Sequence, residues 1–136
     1  MEPLSTRFTL QPEAAGAAEQ ADVPALQIQE RRVRQVIDMI ESEPSCSIRD
    51  LALKVSLSPA HLQRLFKQHT GTQLGSVVAE RRLQKAAGLL TLSNLSIKEI
   101  AYAVGYRHHS SFVRAFQRRF AQAPKHYRGQ AESAGA

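Results

Sequence analysis

An all-α fold is what this sequence predicts, with two helix-turn-helix units joined by a long helix. Three observations predict it. From Gln27 onward the apolar residues recur three and four apart, the spacing of a helix, and do not alternate as in a strand. A capped short helix, a turn and a basic helix occur twice. Between the copies lies a segment long enough for one helix of roughly 18 residues, about 27 Å at 1.5 Å per residue.

Residues 1–26 are mostly Ala, Glu, Gln and Pro and read as a flexible leader or linker. Within them Thr6–Leu10 alternates and suggests one short strand, which has no partner to pair with. In the first helix Val33, Val36, Ile37 and Ile40 form an apolar stripe opposite Arg31, Arg34, Gln35 and Asp38, until Pro44 stops it. It is expected to pack across the first helix-turn-helix.

That first unit covers about 47–70. Ser47 and Asp50 resemble a capping box, with Asp in the place usually held by Glu or Gln. Ile48, Leu51, Ala52 and Val55 point inward, Val55–Leu57 turn, and Ser58-Pro59 opens the next helix as cap and first residue. Leu62, Leu65, Phe66 and His69 mark the inner face of that helix. Ala60, Gln63, Arg64 and Lys67 share its outer face, and Gly71 fits a C-terminal stop.

The connecting helix spans about 73–92, with Leu74, Val77, Val78, Leu83, Ala86, Leu89 and Leu90 apolar. Gly88 inside it costs about 1 kcal/mol relative to alanine, so a closely packed neighbour is expected there. The second helix-turn-helix covers about 96–121 and opens on a better capping box, Ser96 and Glu99. Ile97, Ile100, Ala101 and Val104 match the four inward positions of the first copy at an offset of 49; Phe112, Arg114 and Phe116 match Leu62, Arg64 and Phe66 at an offset of 50. One extra residue is therefore expected at the start of the second reading helix. Ala101 and Gly105 allow close approach and a turn through positive φ, whereas the first copy has Ser56 where glycine is easiest. Pro124–Arg128 reads as a short helix folding Tyr127 onto the core, ending an ordered domain of residues 27–129. Residues 130–136 read as a disordered tail.

Composition narrows the function. The 136 residues carry a formal net charge of +6, unevenly spread. Residues 1–27 hold four acids against one base, while Arg49–Arg128 hold 14 Lys and Arg against three acids. A basic domain behind an acidic leader suits a polyanion, although the same charge also serves simple solubility. The single Cys46 excludes a disulfide framework and a cysteine zinc site, and reads as a semi-buried inert thiol. Adjacent His108 and His109 diverge by about 100° on a helix and lack further ligands, so no metal is expected. No catalytic triad, phosphate loop or paired carboxylates occur, and the chain is not expected to be an enzyme or to hold a cofactor. Neither a signal peptide nor an apolar run long enough for a membrane is present.

Double-stranded DNA is the expected partner. Arg64 and Arg114 present planar forks able to bond guanine O6 and N7 together, worth roughly 1–3 kcal/mol of discrimination. Gln63 can treat adenine in the same way, and Ala60, His109, Ser110, Ser111 and Val113 complete the candidate base-contacting set, Val113 toward a thymine methyl. Lys67, Arg107, Gln117, Arg118 and Lys125 suit phosphates, as do the amides at the helix starts around Ser47 and Ser96. The plainer reading of each is a solvated helix face. Arg81 and Arg82, on the connecting helix, are not assigned to DNA; one of them is expected to pack inward against a carboxylate.

Taken together, Leu51-Ala52, Ser58-Pro59, Leu62, Arg64, Phe66, Gly71, Arg82-Leu83, Ala86, Leu89-Leu90, Ile97, Ile100-Ala101, Val104-Gly105-Tyr106, Ser111-Phe112, Arg114, Phe116, Pro124 and Tyr127-Arg128 resemble the DNA-binding domain of the AraC/XylS family of bacterial transcription regulators. The resemblance covers about residues 28–129. It implies a seven-helix domain whose two reading helices enter successive major grooves. It further implies a cytoplasmic, nucleoid-associated protein, usually an activator that contacts RNA polymerase. A small-molecule effector enters only if a sensor domain exists outside this chain. Three positions depart from the family pattern. Ala121 replaces a usual glycine, so a less sharp helix end is expected; Ser56 replaces a small turn residue; Ala60 is smaller than some counterparts. The rival reading is a basic helical module that meets acidic protein or RNA without selecting duplex sequence.

Overall fold

The computed structural model describes residues 12–135, with side chains described over residues 26–132. Among the described residues there are seven helices: α1 Pro12–Ser42, α2 Ile48–Lys54, α3 Pro59–Thr70, α4 Leu74–Leu92, α5 Ile97–Ala103, α6 His109–Phe120 and α7 Pro124–Gly135. They fall into two compact units, one ending at Val77 and the other comprising Glu43–Ser45 and the chain from Val78 onward. The strand suggested at Thr6–Leu10 lies outside the described residues.

Both ends of the helical region extend further than expected. Helix α1 begins at Pro12, within the segment read as a linker. The composition of Ala, Glu, Gln and Pro pointed to a linker, but Ala, Glu and Gln are also good helix formers. Helix α7 likewise runs to Gly135, through residues 130–135 that were assigned to a disordered tail. Gln130, Ala131 and Glu132 favour a helix, and no proline interrupts them.

In the first unit Val33, Val36, Ile37 and Ile40 of α1 are buried together with Leu51, Ala52 and Val55, with Leu62, Leu65 and Phe66 of α3, and with Leu74 and Val77. As expected, α1 packs on the helices of the first helix-turn-helix, chiefly α3. In the second unit Leu83, Ala86 and Leu90 of α4 join Ile100, Ala101, Val104, Phe112 and Phe116 in one core. The segment read as a connector thus contributes side chains to the core of each unit. Gly88 has no atom within 4 Å of where a Cβ would stand, so the close neighbour expected there is absent. The helix simply accepts the propensity cost.

Capping explains where the short helices start. Ser47 and Ser96 each accept a bond from the amide three residues on, and the Asp50 and Glu99 carboxylates accept from the Ser47 and Ser96 amides. The glutamate box is the tighter, 2.8 Å against 3.4 Å for the aspartate, whose shorter side chain reaches less far. The two turns then share one bonding pattern. The Leu57 amide donates to Ala52 and the Tyr106 amide to Ala101, both at 2.9 Å. Ser56 holds φ 61° where Gly105 holds φ 110°, so serine takes the left-handed turn at some strain.

Candidate nucleic-acid interface

Each unit presents one outward helix built in the same way. Helices α3 and α6 are both 12 residues long and start 50 residues apart. The extra residue of the second copy therefore lies in the connection Tyr106–His108, ahead of the helix and not within it. Phe66 and Phe116 are fully buried at matching positions, which turns Arg64 and Arg114, two residues earlier, to the exposed side.

On α3, Ala60, Gln63, Arg64 and Lys67 are exposed, and they line a shallow depression of about 650 Å³ with Ile48, Gln68, Gln73, Leu74 and Gly75. The Lys67 ammonium also donates to the Gly71 carbonyl at 3.3 Å, a bond long and exposed enough to exchange for a phosphate. On and beside α6, Arg107, His109, Ser110, Arg114, Gln117 and Arg118 are exposed, whereas Ser111 is half-buried. Val113 is half-buried against the second unit's core, which leaves little of it for a thymine methyl. Lys125 is exposed on α7, beside a shallow surface lined by His126 and Gln130. At Ser47 and Ser96 the expected phosphate-binding helix starts are also the two capping boxes. The serine amides and hydroxyls are engaged in those boxes, with the Asp50 and Glu99 carboxylates in the same first turns.

The helix starts and stops differ more than the helices. Ser58 accepts a bond from the His61 amide at 3.1 Å, while His108 at the corresponding place makes no side-chain cap bond. At the C-terminal end Ala121 adopts φ 63° and its amide donates to Gln117 at 2.8 Å, as Gly71 does to Lys67 at φ 76°. The blunter end expected from alanine is not seen; α6 stops as sharply as α3, with a side chain held in the left-handed region.

Three arginines serve the fold of the second unit, and the sequence offered little to single them out. Arg82 donates to the Pro44 carbonyl at 2.8 Å and to Ser45 at 3.5 Å, with its guanidinium 5.7 Å from the Tyr106 ring centre. It packs inward, as expected of one of the pair. Arg119 grips Glu80 through Nε and Nη2, at 2.7 and 2.8 Å. The bond from Arg119 holds the Glu80 carboxyl below its ordinary value of 4.5, against the opposing effect of partial burial. Arg128 donates to the Leu90 and Ser93 carbonyls at 2.9 and 3.3 Å, closing the end of α4. Tyr127 is stacked edge-on against Phe116 at 5.3 Å, as the sequence led us to expect. Burial pushes the Tyr106 hydroxyl above its ordinary value of 10, with Arg82 acting against it.

Two capped helix-turn-helix units, each with an arginine on the open face of its second helix, define a tandem helix-turn-helix protein. A helix-turn-helix domain family matches residues 51–130. The chain is 46% identical over 74 residues to the HTH-type transcriptional regulator GlxA of Rhizobium meliloti, covering 54% of this chain and 23% of that protein. It is 40% identical over 82 residues to the right origin-binding protein of Escherichia coli, covering 60% and 28% respectively. A solved transcriptional regulator of Chromobacterium violaceum, described as containing an AraC-type DNA-binding domain, is 29% identical with a TM-score of 0.62, over 75% of this chain and 93% of that one. The chain belongs to the AraC-type helix-turn-helix family. The match spans about a quarter of the length of each of these two curated relatives. Among the described residues no helix is long and apolar enough to cross a membrane, and no group of three or more His, Cys, Asp or Glu is placed to hold a metal.

Proposed function

We propose that this chain is the sequence-specific DNA-binding part of a bacterial transcription activator, with α3 and α6 entering successive major grooves of one duplex. The observation that carries the proposal is the repeated placement of an exposed arginine two residues before a fully buried phenylalanine, at Arg64–Phe66 and Arg114–Phe116. Burial of the ring fixes the roll of each helix, so the arginine fork is presented outward in both units. Arg64 and Gln63 read bases from α3; Arg114 and Ser110 read them from α6, with His109 and Ser111 at its edge and Ala60 lending only apolar contact. Lys67, Arg107, Gln117, Arg118 and Lys125 contact phosphates. Membership of a family with transcription regulators supports the reading, as does the basic surplus of Arg49–Arg128.

RNA polymerase is the further partner of an activator in the bacterial cytoplasm. The role is one of binding, with no enzymatic step. Selection of duplexes from a random library tests the proposal. The expected product is a site in two parts, with centres about one helical turn, ~34 Å, apart along the DNA. Arg114→Ala is expected to relax preference at particular base pairs, whereas Lys67→Ala weakens all sequences alike and flattens the salt dependence. Equal, sequence-blind losses from both variants, or a footprint confined to one groove, would show a basic module that does not read sequence.

A further inference from the structure

The second reading helix is held at both ends by charged groups of α4. At its C-terminal end Arg119 forks onto Glu80 at 2.7 and 2.8 Å, and Gln84 donates to the same carboxylate at 2.9 Å. The Arg119 guanidinium also lies 4.8 Å from the centre of the Phe120 ring. At the N-terminal approach Arg82 is wedged between the Pro44–Ser45 carbonyls and the turn. A Cβ on Gly105 would stand 2.9 Å from its guanidinium, and the Tyr106 ring lies 5.7 Å away. Tyr106 in turn packs on Phe112 at 5.6 Å, the first buried ring of α6.

Ring packing alone is directionally lax. A group about 6 Å from a helix axis moves by about 1 Å when the helix rolls through 10°, and a binding group needs to be held within about 0.5 Å. Forked bonds at 2.7–2.8 Å remove that freedom. The need is greater here because α6 has no side-chain cap and is reached through one more residue than α3. We infer that Glu80 and Arg82 are positioning residues for the second reading helix, Glu80 fixing its C-terminal end through Arg119 and Arg82 fixing its approach through Tyr106. The inference rests on α6 reading DNA.

Duplexes selected from a random library by the wild-type chain, Arg64→Ala and Arg114→Ala first assign each base pair to one reading helix. A wild-type chain that enriches no duplex overturns the DNA reading itself, and this inference with it. Glu80→Gln, Arg82→Lys and Arg119→Lys are then melted and assayed below their transitions; Arg119→Lys keeps charge on a half-exposed side chain and threatens the fold least. Each is expected to lose on the order of tenfold in preference at the base pairs assigned to Arg114 and to keep those assigned to Arg64. The exchanged pair Glu80→Arg with Arg119→Glu is expected to recover the preference that either exchange alone removes. Folded variants that retain preference at the Arg114 base pairs, or that lose it equally at both sets, overturn the inference.

Discussion

The two helix-turn-helix units reach the same geometry with different materials. The first has the better-capped reading helix, with Ser58 bonded to the His61 amide and Gly71 at the left-handed stop. The second has the better-capped first helix and a glycine in its turn, yet its reading helix starts without a side-chain cap and stops on Ala121. What the second lacks at those ends it replaces with distant contacts: a run of rings from Tyr106 to Tyr127, and arginine bonds spanning 35 to 39 residues. Local capping and long-range clamping are thus interchangeable ways of fixing one helix. They are not equally robust, because a cap needs only its own turn to form.

The sharpest way to break the comparison is at the turns. Gly105→Ala places a Cβ 2.9 Å from both Arg82 and the Ser45 backbone at φ 110°, and is expected to cost about 3 kcal/mol in urea unfolding. A loss below about 1 kcal/mol would show that Arg82 moves aside freely. Next come the caps: Ser96→Ala is expected to cost about 1 kcal/mol and Ser47→Ala less, following the 2.8 and 3.4 Å box bonds. Equal losses would mean that the carboxylate bond adds nothing to the serine cap. In the opposite direction, Ser56→Gly and Ala121→Gly relieve left-handed strain, each gaining about 0.5 kcal/mol after the added freedom of the unfolded chain is counted.

The smallest effect is that of pH. Arg119 depresses the folded-state pKa of Glu80, so the pair contributes stability above the unfolded value and loses it as pH falls through the folded one. Glu80→Gln is therefore expected to melt below the wild type at pH 7, with the gap narrowing under about pH 4.5. Partial exposure of both partners keeps the gap small. A gap that stays constant to pH 3 would remove the charge from the account.

The legible parts of this molecule were the local ones. Ser96 and Glu99 announce their box within four residues, and Phe66 and Phe116 declare their faces through helical spacing. The spacing of Arg64 and Arg114 against those rings placed both on the outer side. Arg119 was not legible, because an arginine that grips Glu80 looks in sequence like one that awaits a phosphate. Arg128 belonged to the resembling pattern without a discernible task, since the carbonyls it bonds lie more than thirty positions earlier. The extent of α1 was missed for a different reason. Apolar periodicity reports burial, and residues 12–26 form a helix without showing that signal.

The closing contact of Arg128 and Tyr127 also sets an order of events during synthesis. Every core residue of the first unit lies at or before Val77, whereas the second unit's core takes Tyr127 as its last ring and Arg128 as the bond that closes α4. At about 5–20 residues per second, a ribosome needs several seconds between those two points. The chain up to Val77 already holds everything its own core requires, whereas Phe112 and Phe116 wait for Tyr127 and Arg128 to complete theirs. The second unit is thus the later of the two to complete its core.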